Sequence, residues 1–117
     1  MPDPPRTAEE PIDPAALTKL YGDNASKKQG ILDKYISQVK EIKTEIYEAY
    51  EARDAQEIFF HAHKLKSSSR LVGAITLAEV CAGLETAGRT NDWVMIEKYY
   101  AELVPEIDAL IRFSEGR

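Results

Sequence analysis

Apolar residues along most of the chain recur at three- and four-residue steps, with lysine and glutamate between them. This spacing places the apolar side chains on one face of an α-helix, so it predicts a series of amphipathic helices. No stretch alternates between apolar and polar residues for long enough to indicate a strand, and no long internal repeat is evident. The pattern therefore predicts an all-α protein.

Capping residues and breaks in the pattern bound the predicted helices. They are a short helix over about 14–22 and longer ones over about 26–53, 54–73, 75–87 and 92–111. Asp54 and Asp92 are placed as N-caps, and Gly73 and Gly88 as stops just beyond a helix end. Pro105 lies inside the last helix and is expected to bend it.

Short connections between long helices imply that neighbouring helices run antiparallel. The predicted fold is an antiparallel up-down four-helix bundle with a short extra N-terminal helix, over residues 13–117. Residues 1–12 are predicted to be a flexible proline-rich arm, because proline is concentrated there and apolar residues are scarce.

The helix over 54–73 has a histidine on the face that the bundle cannot bury. Each helical residue turns about 100° from the last, which gives a small and apolar core stripe of Ile58, Ala62, Leu65, Ser69 and Val72. His63 lies on the opposite face, with Phe59, Phe60, Lys66, Ser67 and Arg70 within about 60° of it. His63 is therefore predicted to point to solvent, among cations and aromatic rings.

His61 is a different case, because it lies about 200° around the helix from His63. It is predicted to sit at the edge of the core with a structural role. The two histidines cannot share one ion from a regular helix, so no metal site is predicted.

Composition and charge narrow the function. The net charge of −5 argues against a general nucleic-acid binder, and no apolar run approaches the roughly 20 residues of a membrane span. One cysteine allows no internal disulfide, and no signal peptide opens the chain, so a cytoplasmic protein without membrane association is expected. Between Glu57 and Glu79 the chain has no acidic residue but three cations. A positive patch on an acidic protein suits an anionic ligand or an acidic partner.

The histidine stretch and the residues after it resemble the histidine-containing phosphotransfer (HPt) domain of bacterial phosphorelays. The family pattern is a histidine, any residue, leucine, lysine, glycine, two small residues, three more positions, then Gly-Ala. This chain reads His63-Lys64-Leu65-Lys66-Ser67-Ser68-Ser69, then residues 70–72, then Gly73-Ala74. Leu77, Cys81, Leu84 and Glu85 match the leucine, cysteine and Leu-Glu that usually come next in the family. The resemblance covers roughly residues 12–114, and its one departure is Ser67 in place of glycine.

The resemblance implies the same helical bundle and a role in a phosphorelay. His63 would accept a phosphoryl group through Nε2 from the aspartyl phosphate of a receiver domain, and another receiver would then take it. Lys66 would stabilise the phosphoryl oxygens. No cofactor is expected on this chain, because the receiver would supply Mg²⁺ and most of the catalysis.

The expected partners are receiver domains of response regulators, a hybrid sensor histidine kinase, or both. Phe59, Phe60, Lys64, Ser67 and Arg70 are the predicted docking residues. The sequence has no glycine-rich phosphate loop, so we expect a phosphotransfer intermediate and not an autonomous kinase. The long helices show no sustained heptad beyond the bundle core, which favours a monomer.

Two other functions remain open at this point. The chain could be a docking module that binds a receiver or kinase but does not transfer, because Ser67 obstructs the partner's approach. It could also be a plain helical scaffold or dimerisation bundle without a role in a phosphorelay. The aromatic pair beside His63 and the lack of acidic residues around it argue against the scaffold.

Overall fold

The computed structural model describes residues 11–116, and over this range the chain folds into helices joined by short turns, without a strand. The helices are α1 (Pro14–Tyr21), α2 (Ala25–Glu51), α3 (Ala55–Val72), α4 (Ile75–Arg89) and α5 (Trp93–Glu115). The four long helices pack in a ring, in which α3 contacts α2 and α4, and α5 contacts α4 and α2. Helix α1 packs across α2 and α3. The predicted all-α bundle with a short additional helix is confirmed.

Helix ends follow the predicted capping residues with small differences. The side chains of Asp54 and Asp92 accept hydrogen bonds from the first turns of α3 and α5, as predicted. Gly73 ends α3 in the left-handed conformation, with φ 84°. Helix α2 begins one residue earlier than predicted, because the Asn24 side chain accepts from the backbone N–H of Lys27 at 3.0 Å.

The prediction that Gly88 stops α4 is wrong. Helix α4 continues to Arg89, and Gly88 is buried inside it. A Cβ at this position would lie 2.9 Å from the carbonyl oxygen of Ala55 and 2.9 Å from the backbone nitrogen of Phe59. Glycine is therefore required here because α4 crosses the start of α3 with backbone against backbone.

The boundary predicted between the arm and the bundle differs from the boundary in the structure. Residues 1–10 lie outside the described residues, whereas Pro11 and Ile12 are buried. The backbone N–H of Asp13 donates to the carbonyl oxygen of Gly73 at 2.9 Å, which ties the start of the bundle to the α3–α4 turn. The packed part of the chain thus begins before residue 13.

The core stripe of α3 is buried as predicted, including its one polar member. Ser69 is fully buried, and its hydroxyl lies 2.6 Å from the hydroxyl of Tyr35 on α2. Burial raises the pKa of the Tyr35 phenol well above its usual range, so the phenol stays neutral. This contact gives each buried hydroxyl a hydrogen-bond partner and joins α3 to α2.

Pro105 lies inside α5, and the bend that it is expected to cause stays a prediction.

Within residues 11–116, no helix combines the length and the apolar character that crossing a membrane requires.

We predict that Gly88→Ala destabilises the fold by about 1–3 kcal/mol, because the added methyl group meets the backbone of α3. Gly30→Ala is the matched control. Gly30 lies in α2 with no atom within 4 Å of an added Cβ, so alanine there should be neutral or stabilise by up to about 1 kcal/mol. Urea denaturation of the two variants measures the difference, and equal stability would contradict the proposed close crossing.

Candidate functional site

His63 lies on the exposed face of α3, as predicted, and 55% of its side chain is accessible to solvent. The ring of Phe59, one turn earlier, stacks near it with a centroid separation of 6.3 Å and an interplanar angle of 18°. One turn later, the Ser67 hydroxyl donates to the carbonyl oxygen of His63 at 3.2 Å. The serine side chain is therefore turned back onto its own helix.

Glu85, which reaches across from α4, contacts the imidazole directly. Its Oε2 lies 3.1 Å from Nδ1 of His63. An ionised carboxylate can only accept hydrogen bonds, so this contact favours the tautomer in which Nδ1 holds the proton. In a neutral ring the lone pair is then on Nε2, the nitrogen on the far side of the ring from Glu85.

The same carboxylate also holds Lys66. The ammonium nitrogen of Lys66 lies 2.6 Å from Oε1 of Glu85, and both side chains are only 17% exposed. Burial by itself would raise the pKa of Glu85, but hydrogen bonds from Lys66 and His63 and their charges outweigh it, and the pKa is lowered. Glu85 is thus ionised at neutral pH and bridges the two residues.

Glu85 was missed as a site residue by the sequence reasoning. The expectation that no acidic residue lies around His63 is wrong, because the fold supplies one from the neighbouring helix. A signal was present: Glu85 follows the buried Cys81 by four residues, which places it beside the stripe that packs on α3. Cys81 itself is buried, and burial raises the pKa of its thiol to about 12, so it is a neutral core residue as predicted.

The other predicted docking residues lie on α3 around His63. Phe60 is 53% exposed, and the ammonium group of Lys64 lies 5.3 Å from the centre of its ring. Arg70 is exposed on the same helix, whereas Phe59 is half-buried. Their contact with a partner stays a prediction.

His61 occupies the other side of α3, where its side chain is 12% exposed. Its Nε2 lies 3.3 Å from Glu57, and its Nδ1 lies 3.7 Å from Glu45 on α2. These contacts fit the predicted structural position between helices. No group of three or more histidine, cysteine or acidic side chains within residues 11–116 is arranged to hold a metal ion.

The helical bundle thus places an exposed histidine, a neighbouring lysine and a carboxylate together on one surface. The Hpt domain family matches residues 30–113, and the chain belongs to this family. Members of the family are phosphotransfer intermediates.

Two known proteins are similar to the chain. The phosphorelay intermediate protein rdeA of Dictyostelium discoideum is 29% identical over 82 residues, which cover 70% of this chain and 32% of that protein. The chain therefore spans about a third of the relative's length. The crystal structure of histidine-containing phosphotransfer protein B (HptB) of Pseudomonas aeruginosa PAO1 superposes with a TM-score of 0.81 at 24% identity. It covers 92% of this chain and 94% of its own, and it shows the same fold.

The lowered pKa of Glu85 predicts a pH-dependent contribution to stability. Because the carboxyl ionises more readily in the folded state, its contribution is present above its ordinary pKa of about 4.5 and is lost as the pH falls through the lowered value. Glu85→Gln should therefore be less stable than the wild type at neutral pH, and the difference should shrink in acid. Urea unfolding at both pH values tests this, with Glu79→Gln on the exposed side of α4 as control. A difference that does not vary with pH would contradict it.

Proposed function

We propose that Nε2 of His63 accepts a phosphoryl group from the aspartyl phosphate of one receiver domain and delivers it to another. The observation that carries this proposal is the contact between Nδ1 and Glu85, which directs the unprotonated nitrogen away from the bundle. An imidazole nitrogen that projects from a convex helical surface can enter the acidic pocket of a partner. Family membership supports the relay role, and the geometry supports the choice of histidine.

In the proposed reaction the neutral imidazole attacks in line. A bond forms between Nε2 and phosphorus while the bond from phosphorus to the aspartyl oxygen breaks. Such transfers depend mainly on positioning and on neutralisation of the phosphoryl charge. Lys66 would supply one positive charge from this chain, and Mg²⁺ bound to the receiver would supply the rest.

The proposed docking surface surrounds His63 and consists of Phe59, Phe60, Lys64, Ser67 and Arg70. Exposed aromatic area next to cations suits a partner site that is acidic at its centre and apolar around it. The exposed ring of Phe60 and the ammonium group of Lys64 lie side by side on this surface. In this proposal the chain is a monomer in the cytoplasm. It binds receiver domains or a hybrid kinase and has no ATP site of its own.

The decisive experiment is transfer from a panel of receiver domains labelled with radioactive phosphate. We expect label on the wild-type chain and none on His63→Gln, because glutamine has no nucleophilic nitrogen. His61→Gln is the matched control, since His61 lies between helices, and it should keep the label. The adduct should be lost in acid and persist in alkali, as a phosphoramidate does.

Persistence of label in His63→Gln would place the phosphoacceptor elsewhere. Binding of receivers without label in any form of the chain would favour the docking module. If the chain neither binds a receiver nor takes up label, the proposed function fails, and only the fold and the family membership stand.

The Ser67→Gly variant distinguishes a phosphotransfer module from a module that only docks its partner. The Ser67 hydroxyl is turned towards the His63 carbonyl, so we expect the substitution to change the transfer rate by less than about tenfold, or about 1.4 kcal/mol of barrier. Rates of phosphorylation by one receiver, measured on both proteins, test this. A much larger gain in the glycine variant would mean that the serine obstructs the partner.

A further inference from the structure

A cleft at one end of the bundle lies outside the proposed relay site. It is bounded by α1, the first two turns of α2 and the last turn of α5, and its volume is about 410 Å³. The residues that line this α1 cleft include Ile12, Leu17, Thr18, Lys28, Leu32 and Phe113. We infer that it binds a medium-chain fatty acid, with the carboxylate at Lys28 and the alkyl chain inside the cleft. The inference goes beyond the proposed function and does not depend on it.

The packing of the helices explains why the α1 cleft exists. Helix α1 packs on α2 and α3, whereas α5 packs on α4 and α2. Helices α1 and α5 therefore both approach α2 without packing on each other, and the space between them is the cleft. None of its described lining residues belongs to α3 or α4.

The walls of the α1 cleft are mainly apolar. Ile12 and Leu17 are buried, and Leu32 and Phe113, which face them from α2 and α5, are half-buried. All four side chains belong to the hydrophobic core or pack against it. Sites for small molecules are concave, mainly apolar and usually about 300–1,000 Å³ in volume, so the α1 cleft has the size of a small one.

A cation lies at the wall between α1 and α2. The ammonium group of Lys28 donates to the hydroxyl oxygen of Thr18 at 3.1 Å, and both residues line the cleft. An ammonium group has three donor hydrogens, and a threonine hydroxyl that accepts one bond can still donate its own hydrogen. A carboxylate at this wall can therefore accept from both side chains.

The carboxylates near the α1 cleft have other partners. Asp13 is the N-cap of α1 and accepts from the backbone N–H of Ala15 at 3.0 Å. Asp33 accepts from the side-chain amide of Gln29 at 2.8 Å. None of the described residues that line the cleft is acidic, so its charge is positive. An anion is therefore favoured over a cation.

The distribution of polar groups favours a ligand with a single polar end. Besides Lys28 and Thr18, the polar side chain among the described lining residues is that of Gln29, which donates to Asp33. The rest of the surface offers apolar contacts, against which hydroxyl or amide groups of a ligand would lose their hydrogen bonds to water. A fatty acid meets both conditions, because its carboxylate is followed by a chain of methylene groups.

The experiment is an NMR titration of the isotopically labelled full chain with octanoate. We expect saturable shifts in the signals of Leu17, Lys28, Leu32 and Phe113, and nuclear Overhauser effects between the octanoate methyl group and the Phe113 ring. From hexanoate to decanoate, each added methylene should tighten binding by up to about fourfold. Octyltrimethylammonium has the same chain with a positive charge, and it should bind about tenfold more weakly than octanoate.

Two variants test the two parts of the α1 cleft. Lys28→Gln should weaken octanoate about three- to tenfold and leave the binding of uncharged octanol unchanged. Its matched control is Lys40→Gln, at an exposed lysine of the same helix away from the cleft. Ala25→Phe places a ring in the cleft and should abolish the binding of both ligands, whereas Ala101→Phe, at an exposed alanine of α5, should not. Circular dichroism confirms that each variant is folded.

The results can overturn the inference without affecting the proposed function. Octanoate that shifts no signals of the α1 cleft, or that binds equally well to Ala25→Phe, would overturn it. Equal affinities for octanoate and octyltrimethylammonium would rule out recognition of a carboxylate. Overhauser effects from residues 1–10 to Phe113, without octanoate binding, would mean that the chain itself occupies the cleft. His63→Gln should bind octanoate as the wild type does, because His63 does not line the cleft.

Discussion

The close packing of α4 against α3 is the constraint on which the site depends. A Cβ at Gly88 would meet the backbone at the start of α3, so the two helices approach here as closely as their backbones allow. Less than one turn earlier on α4, Glu85 reaches the ring of His63 and the ammonium group of Lys66. A wider separation between these helices would leave the histidine without an acceptor for its Nδ1 proton.

Two histidines on one helix have opposite environments because of the helical angle between them. His61 lies between α3 and α2, with Glu45 and Glu57 beside its two nitrogens. His63 faces outward and has an acidic neighbour on only one ring nitrogen, Nδ1, among the residues from 11 to 116. The difference agrees with the proposed role of His63 as the phosphoacceptor and places His61 in the packing of the bundle.

The surface around His63 carries both positive and negative side chains and is not a simple positive patch. Lys66 is partly neutralised by Glu85, whereas Lys64 and Arg70 are exposed around it. Cations at the rim suit the acidic receiver of the proposed relay, and the carboxylate lies behind the ring on the Nδ1 side.

The helices, the buried and exposed faces of α3, and the family could be predicted from the sequence, because these depend on local periodicity, capping residues and a contiguous motif. The exposed position of His63, the burial of Ser69 and the N-caps at Asp54 and Asp92 all belong to this local kind of information. The role of Gly88 as a crossing point and the contact of Glu85 with His63, 22 residues away, became visible in the folded chain. Both depend on the distance and rotation between two helices, which the pattern within either helix does not specify.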